Sequence, residues 1–199
     1  MDFDFDLDLD FNFDDDKIDD EFILNTKTKK RIFFDLERSF ELLKKSLELP
    51  TIDEDIRLIS PAGGWSSCSL IMFIADKEVI EELTITTLRV GVKETQALID
   101  LYDEGRIKDI HIIMSKVAKA NKIYVYHNQI KNIIGDRNVK VSYINNHSKV
   151  ILAKTKDNYY VIETSSNLNE NPKIEQFIIC NDKEVYDYYL RVFRKLKII

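Results

Sequence analysis

From Glu54 to Leu196 the sequence alternates between two hydrophobic periods, and that alternation limits what the chain can become. Glu54–Ser60, Ile80–Thr87, Asp109–Met114 and Val139–Ile144 are rich in β-branched residues and read as strands. Between them lie segments whose apolar residues recur three and four apart. Lys93–Leu101 puts Ala97, Leu98 and Leu101 on one helical face, and Gly105 stands where that helix should stop. The segment 119–134 has the same character and is followed by Gly135. Ser67–Ala75 is a short apolar run that fits a helix or a strand. Further on, Lys149–Thr155 and Tyr159–Thr164 form a hairpin pattern around Lys156-Asp157-Asn158. Ile174–Cys180 reads as one more strand and Glu184–Leu196 as a closing helix. Strands and helices alternate first, then strands cluster. That order predicts an α/β fold: a mixed sheet flanked by helices.

The N-terminal quarter is different. Arg31–Leu49 carries Phe33, Leu36, Phe40, Leu43 and Leu47 at helical spacing, and Pro50 ends the pattern. Before it, Asp2, Asp4, Asp6, Asp8 and Asp10 alternate with Phe3, Phe5, Leu7 and Leu9. The period is that of a strand, but aspartate is a poor strand former and five like charges on one face repel. We read this run as a solvated tail that can order against a partner. It could also mimic the charge of a nucleic-acid strand and cover a basic groove, or bind another protein. The expected organisation is an acidic, disordered tail over 1–25, an N-terminal helix and short strand over 26–60, and the main α/β domain over 61–199.

Charge is unevenly placed along the chain. Residues 1–22 hold ten Asp and Glu21 against Lys17, while the whole chain carries −6, so the remainder is basic by +4. An overall pI of 5.2 therefore does not argue against a phosphate ligand. An apolar share of 44 % supports a real core and excludes a wholly disordered chain. No apolar stretch approaches the eighteen or so residues of a membrane span, and the acidic N-terminus does not resemble a secretory leader. A cytoplasmic protein with no membrane association is the expectation. Cys68 and Cys180 lack zinc-ligand spacing and are expected to stay unpaired in a reducing compartment.

The chemistry concentrates in two short stretches, Asn145-Asn146-His147-Ser148-Lys149 and Glu163-Thr164-Ser165-Ser166-Asn167. His147 and Lys149 are two apart at the start of a predicted strand, so alternation puts both on one face. Asn167 ends the next strand, and a tight hairpin returns that end beside His147. An imidazole, an ammonium and an amide thus converge. Other candidates fit plainer roles. His111 reads as a satisfied core or edge histidine, and His127 as solvated. Tyr186, Tyr189 and Phe193 suit a core or a dimer interface. Arg191, Arg194, Lys195 and Lys197 suit a solvated helix face. Trp65, Ser66 and Ser67 suit packing and capping near the site.

An H-x-K strand followed after a hairpin by Thr164-Ser165-Ser166-Asn167 resembles the half-motif of the phospholipase D superfamily. Asn171-Pro172-Lys173-Ile174-Glu175-Gln176 resembles the segment that follows it. The resemblance covers roughly residues 60–196 and is closest to single-motif, nuclease-like members met in bacteria and phages. Three departures stand out. Lys154 occupies the position of the family's Asp, Thr164 replaces its Gly, and the hairpin is about three residues longer.

The resemblance implies His147 as nucleophile, Lys149 and Asn167 as phosphate binders, and Glu175 as the group that orients the imidazole. It further implies Ser165, Ser166 and Lys173 as substrate contacts, with no metal or other cofactor required. One half-site holds one histidine, so a homodimer acting on DNA or RNA is expected. The rival expectation is a catalytically degenerate nucleic-acid-binding or assembly protein. A third is a phage or mobile-element regulator whose acidic tail is the active part.

Overall fold

The computed structural model describes residues 25–26, 29–34, 44–45, 47–60, 64–116, 123–169 and 173–195. The acidic run 1–22 and residues 35–43 of the expected N-terminal helix lie outside them. Nine strands form one sheet: β1 (Asn25–Thr26), β2 (Lys29–Phe34), β3 (Asp55–Ser60), β4 (Glu82–Thr87), β5 (Ile110–Ser115), β6 (Val139–Ile144), β7 (Val150–Lys154), β8 (Tyr159–Thr164) and β9 (Glu175–Asn181). Their order across the sheet is β1-β2-β3-β9-β8-β7-β4-β5-β6. Among the described residues it is accompanied by helices α1 (Ser67–Lys77), α2 (Val92–Asp103), α3 (Ile123–Ile134) and α4 (Lys183–Lys195).

β4, β5 and β6 are parallel and joined through α2 and α3. Right-handed crossovers put both helices on one face. Leu70, Ile71 and Ile74 of α1, Leu98 of α2 and Ile130 of α3 pack there against Ile85, Ile112, Ile151 and Ile162. On the other face Tyr186 and Phe193 of α4 pack on Ile113, Val150, Leu152 and Val161. The strands at the centre of the sheet are covered on both sides, which is why β7 and β8 read as nearly continuous apolar runs. Each such side chain, once buried, contributes ~1.5–3 kcal/mol. The ambiguous run from Ser67 is helix α1. Gly105 (φ 72°) and Gly135 (φ 58°) sit in the left-handed conformation that ends α2 and α3.

One expectation is overturned at the N-terminus. Arg31–Phe34 is not helical: it belongs to β2, which pairs in parallel with β3 from Arg31↔Asp55 to Phe34↔Leu58. The helical spacing drew only Phe33 from this stretch. An open sheet edge at β3 supplies backbone partners that a helix count ignores, and Ile32, Phe33 and Phe34 are good strand formers. β3 itself pairs with β9 over its whole length, so the short strand lies inside the main sheet.

The two cysteines are unpaired, as expected. Burial pushes the Cys68 thiol up to about 12, so it is inert. Among the described residues no helix is long and apolar enough to cross a membrane.

Candidate functional site

The site forms where parallel β4 and β5 finish and antiparallel β7 begins. Crevices at the carboxyl ends of parallel strands, where the winding changes sense, are the usual ligand positions of α/β sheets. The β7–β8 hairpin has the register Val150↔Glu163, and Thr164 N donates to Lys149 O at 3.2 Å. The expected return of Asn167 toward His147 follows from that register. The hairpin turn, 155–158, is at the opposite end and is gripped by Glu78, which closes α1. Thr155 Oγ1 (2.6 Å), Asn158 Nδ2 (2.9 Å) and Tyr160 Oη (2.7 Å) all donate to its carboxylate. This clasp accommodates the additional turn residues.

His147 and Lys149 precede β7 rather than lying in it. His147 is exposed; Lys149 is half-buried. Lys149 Nζ donates to His147 O at 2.9 Å and lies 3.5 Å from His147 Nδ1. Burial pushes the Lys149 ammonium below the ordinary lysine value, and the charge of Glu175 pulls the other way. Asn167 is held from several sides. Leu88 N donates to its Oδ1 at 3.3 Å, and Ser67 Oγ at the start of α1 donates to its backbone oxygen at 3.2 Å. A backbone N–H can only meet the amide oxygen, which leaves the Asn167 Nδ2 pointing away from Leu88, with no acceptor among the described residues. His147, Lys149 and Asn167 are thus gathered at one end of the sheet.

The remaining expected contacts fall differently. Glu175 accepts from the Ser165 hydroxyl, not from the His147 ring, and Gln176 N donates to the same Ser165 Oγ at 3.0 Å. The carboxylate orients the serine and faces Lys149; no described hydrogen bond joins it to the imidazole. Ser166 is 1 % exposed and donates to Asn167 O at 2.8 Å, so its hydroxyl shapes the loop instead of facing a ligand. Thr164, in the family's glycine position, accepts from Ser166 N at 2.9 Å and tightens the same turn. Lys173 is exposed. His111 is buried in β5, 2.8 Å from Ser142 Oγ, and burial holds its ring down to about 4. It is the satisfied core histidine expected. The His127 side chain lies outside the described set.

Lys154 is the most instructive departure. It ends β7 five residues after Lys149, which at ~3.3 Å per residue is roughly 16 Å away. There it pairs with Glu82 of β4 at 2.5 Å. The position where the resemblance expects Asp is therefore remote from His147, Lys149 and Asn167.

Charge pairing also separates the two ends. Lys154–Glu82, Lys108–Glu81 (3.5 Å), Arg106–Asp76 (2.9 Å) and Arg137–Asp103 (2.5 Å) all lie at the end away from His147. At the His147 end Arg89 follows β4, Lys116 follows β5, Lys149 precedes β7 and Lys173 precedes β9. None of these four forms an ion pair with a described residue. Among the described residues no three His, Cys, Asp or Glu converge as metal ligands.

The mixed α/β sheet with helices on both faces is a phospholipase D-like fold, and solved structures share it. The chain is similar to Nuc, a phospholipase D family member from Salmonella typhimurium, with a TM-score of 0.54 at 17 % identity, covering 71 % of this chain and 92 % of that one. It is also similar to polyphosphate kinase from Porphyromonas gingivalis, with a TM-score of 0.53 at 14 % identity, covering 72 % of this chain but only 26 % of the kinase. At these identities the likeness establishes the fold. No protein-family model and no curated protein matches the sequence.

Asn146 and Thr87 were not anticipated as site residues. Their contribution is hydrogen bonding between segments about sixty residues apart, which leaves no periodic or motif signal.

Proposed function

We propose that this protein is a phosphodiesterase acting on nucleic acid without a metal ion, as a homodimer whose two half-sites share one cleft. The observation that carries the reading is the gathering of His147, Lys149 and Asn167 at a sheet end whose cations form no ion pair with a described residue. A phosphodiester is anionic, so Lys149 supplies charge and Asn167 Nδ2 a hydrogen bond to its non-bridging oxygens. His147 is exposed and attacks phosphorus through a ring nitrogen. The new P–N bond replaces the bond to the leaving oxygen, which takes a proton from the partner copy's histidine, a step worth ~10²–10⁴ in rate. That histidine then accepts a proton from water as the water displaces His147. The half-site offers one imidazole, which is why the reading needs two copies related by a two-fold axis. Arg89, Lys116 and Lys173 extend the positive edge along which a nucleic-acid backbone would run.

A second reading is favoured by a specific contact: Glu175 accepts from Ser165, and no described hydrogen bond joins it to the His147 ring. A phospholipase D-like protein that binds nucleic acid but has lost turnover would keep Lys149, Asn167 and the cationic edge. Cleavage of labelled single- and double-stranded DNA and RNA in EDTA, by native protein and His147→Ala, separates the two. Cleavage that survives EDTA and vanishes in the variant supports the phosphodiesterase. Binding without cleavage by either folded protein supports the binding module.

A further inference from the structure

The β4–β7 ladder ends at Thr86↔Val150. The next peptide unit of β4, Thr87–Leu88, has passed the end of that ladder, yet its polar groups still need partners. Two asparagine side chains supply them. Asn146 Nδ2 donates to Thr87 O at 3.2 Å, and Leu88 N donates to Asn167 Oδ1 at 3.3 Å. These are the carbonyl and the N–H of one peptide bond. The bond is trans, so the two groups point to opposite edges of a single rigid plane. The Asn146 side chain also closes a turn around His147: Ser148 N donates to Oδ1 at 3.0 Å, Ser148 Oγ donates to it at 2.6 Å, and Nδ2 reaches Ser148 O at 3.2 Å. His147 is the exposed apex of that turn, and its described contact outside the turn's own backbone is with Lys149 Nζ.

We infer that Asn146 is a positioning residue for His147, and that the Thr87–Leu88 peptide is the common reference setting the histidine loop against the Asn167 amide. The orientation of Asn146 is dictated by its backbone partners, since only its oxygen can accept from Ser148 N and only its nitrogen can donate to Thr87 O. Lys149 is tied to β8 by its own backbone oxygen, which accepts from Thr164 N, and its Nζ donates to His147 O at 2.9 Å. Loss of Asn146 therefore loosens the His147 turn while Lys149 keeps its tie to Thr164 and Asn167 its bond from Leu88 N. Two other ties on this loop survive the substitution, the Lys149–His147 bond and Ser148 Oγ, 3.1 Å from Thr86 Oγ1.

The catalytic consequence rests on the phosphodiesterase reading; the geometric role does not. The test uses the full chain with Asn146→Ala and Asn146→Asp. It measures amide hydrogen exchange at Ser148, heteronuclear NOEs across 145–149, the thermal midpoint, and kcat and KM on bis(p-nitrophenyl) phosphate. In Asn146→Ala we expect Ser148 exchange about tenfold faster and depressed NOEs confined to this loop. We expect kcat about tenfold lower with KM within about twofold of native, the pattern of an interaction realised in the transition state. Asn146→Asp keeps the acceptor for Ser148 N but sets a carboxylate oxygen against the Thr87 and Ser148 carbonyls, so it should loosen the loop at least as much as Asn146→Ala, and it serves if the alanine variant fails to fold. Unchanged exchange and NOEs would overturn the inference, and so would a mobile loop with native kcat. If the native chain turns over no phosphodiester, the functional reading falls, and the exchange data alone decide the role of Asn146.

Discussion

The two ends of the sheet use charged residues in opposite ways. At the end holding the β7–β8 turn, lysines and arginines meet carboxylates: Lys154 with Glu82, Lys108 with Glu81, Arg106 with Asp76, Arg137 with Asp103. At the His147 end, Arg89, Lys116, Lys149 and Lys173 have no such partner among the described residues. Exposed ion pairs contribute little to stability, typically ~0–1 kcal/mol. Their larger effect here is to cancel potential at one end. Cations without a carboxylate partner at the other end keep their charge available to an anion. The contrast lies in pairing, which a net charge cannot reveal.

Breaking the far end should cost stability and nothing else. The largest effect is expected at Glu78, which receives hydrogen bonds from Thr155, Asn158 and Tyr160. Glu78→Ala should lower unfolding free energy by about 2–3 kcal/mol in urea denaturation, because it strands three donors. Phosphate or nucleic-acid affinity should stay native. Burial disfavours the Glu78 carboxylate, but the donated hydrogen bonds outweigh it and hold the pKa below 4.5. Its contribution is therefore complete above the unfolded value and is lost as pH falls through the lower folded one. Glu78→Ala should flatten the acid limb of the native stability curve over that window.

Neutralising the near end should do the reverse. Arg89→Gln and Lys116→Gln should each weaken nucleic-acid binding by ~1 kcal/mol and reduce the slope of log K against log salt by about 1. Lys108→Gln, at the paired end, is the control and should leave that slope unchanged. Equal salt slopes for all three variants would show that the pairing contrast has no bearing on ligand binding.

The smallest effect is expected from restoring the family's acid. Lys154→Asp faces Glu82, so it should cost no more than about 1 kcal/mol. It should change neither cleavage nor affinity, because this end of β7 is remote from Lys149. A clear gain in turnover would mean that the two ends communicate.

Much of this was legible in advance. The main strands, the three helices α2–α4, their glycine stops and the β7–β8 hairpin follow from hydrophobic period and turn chemistry, which are local. The pairing of His147 with Lys149 and the return of Asn167 were legible because a hairpin links neighbours in sequence. β2 was missed: its strand conformation depends on the edge of β3, and a helical spacing over Phe33–Leu47 says nothing about that edge. The partners of Ser165, Ser166 and Glu175 were not legible. Their hydroxyl and carboxylate groups bond to each other and to backbone. Which partner a short polar side chain takes is decided by ångströms.

Taken alone, the amino-acid sequence determined the α/β class, the hairpin and the placing of an imidazole, an ammonium and an amide in two neighbouring segments, since period, turn residues and side-chain chemistry act over short spans. Tertiary structure alone decided that the Thr87–Leu88 peptide ties Asn146 to Asn167, that Lys154 stands apart from His147, and that among the described residues cations meet carboxylates at one end and not at the other. Those outcomes depend on which distant segments meet, and distance in space is set by the packed sheet rather than by position along the chain.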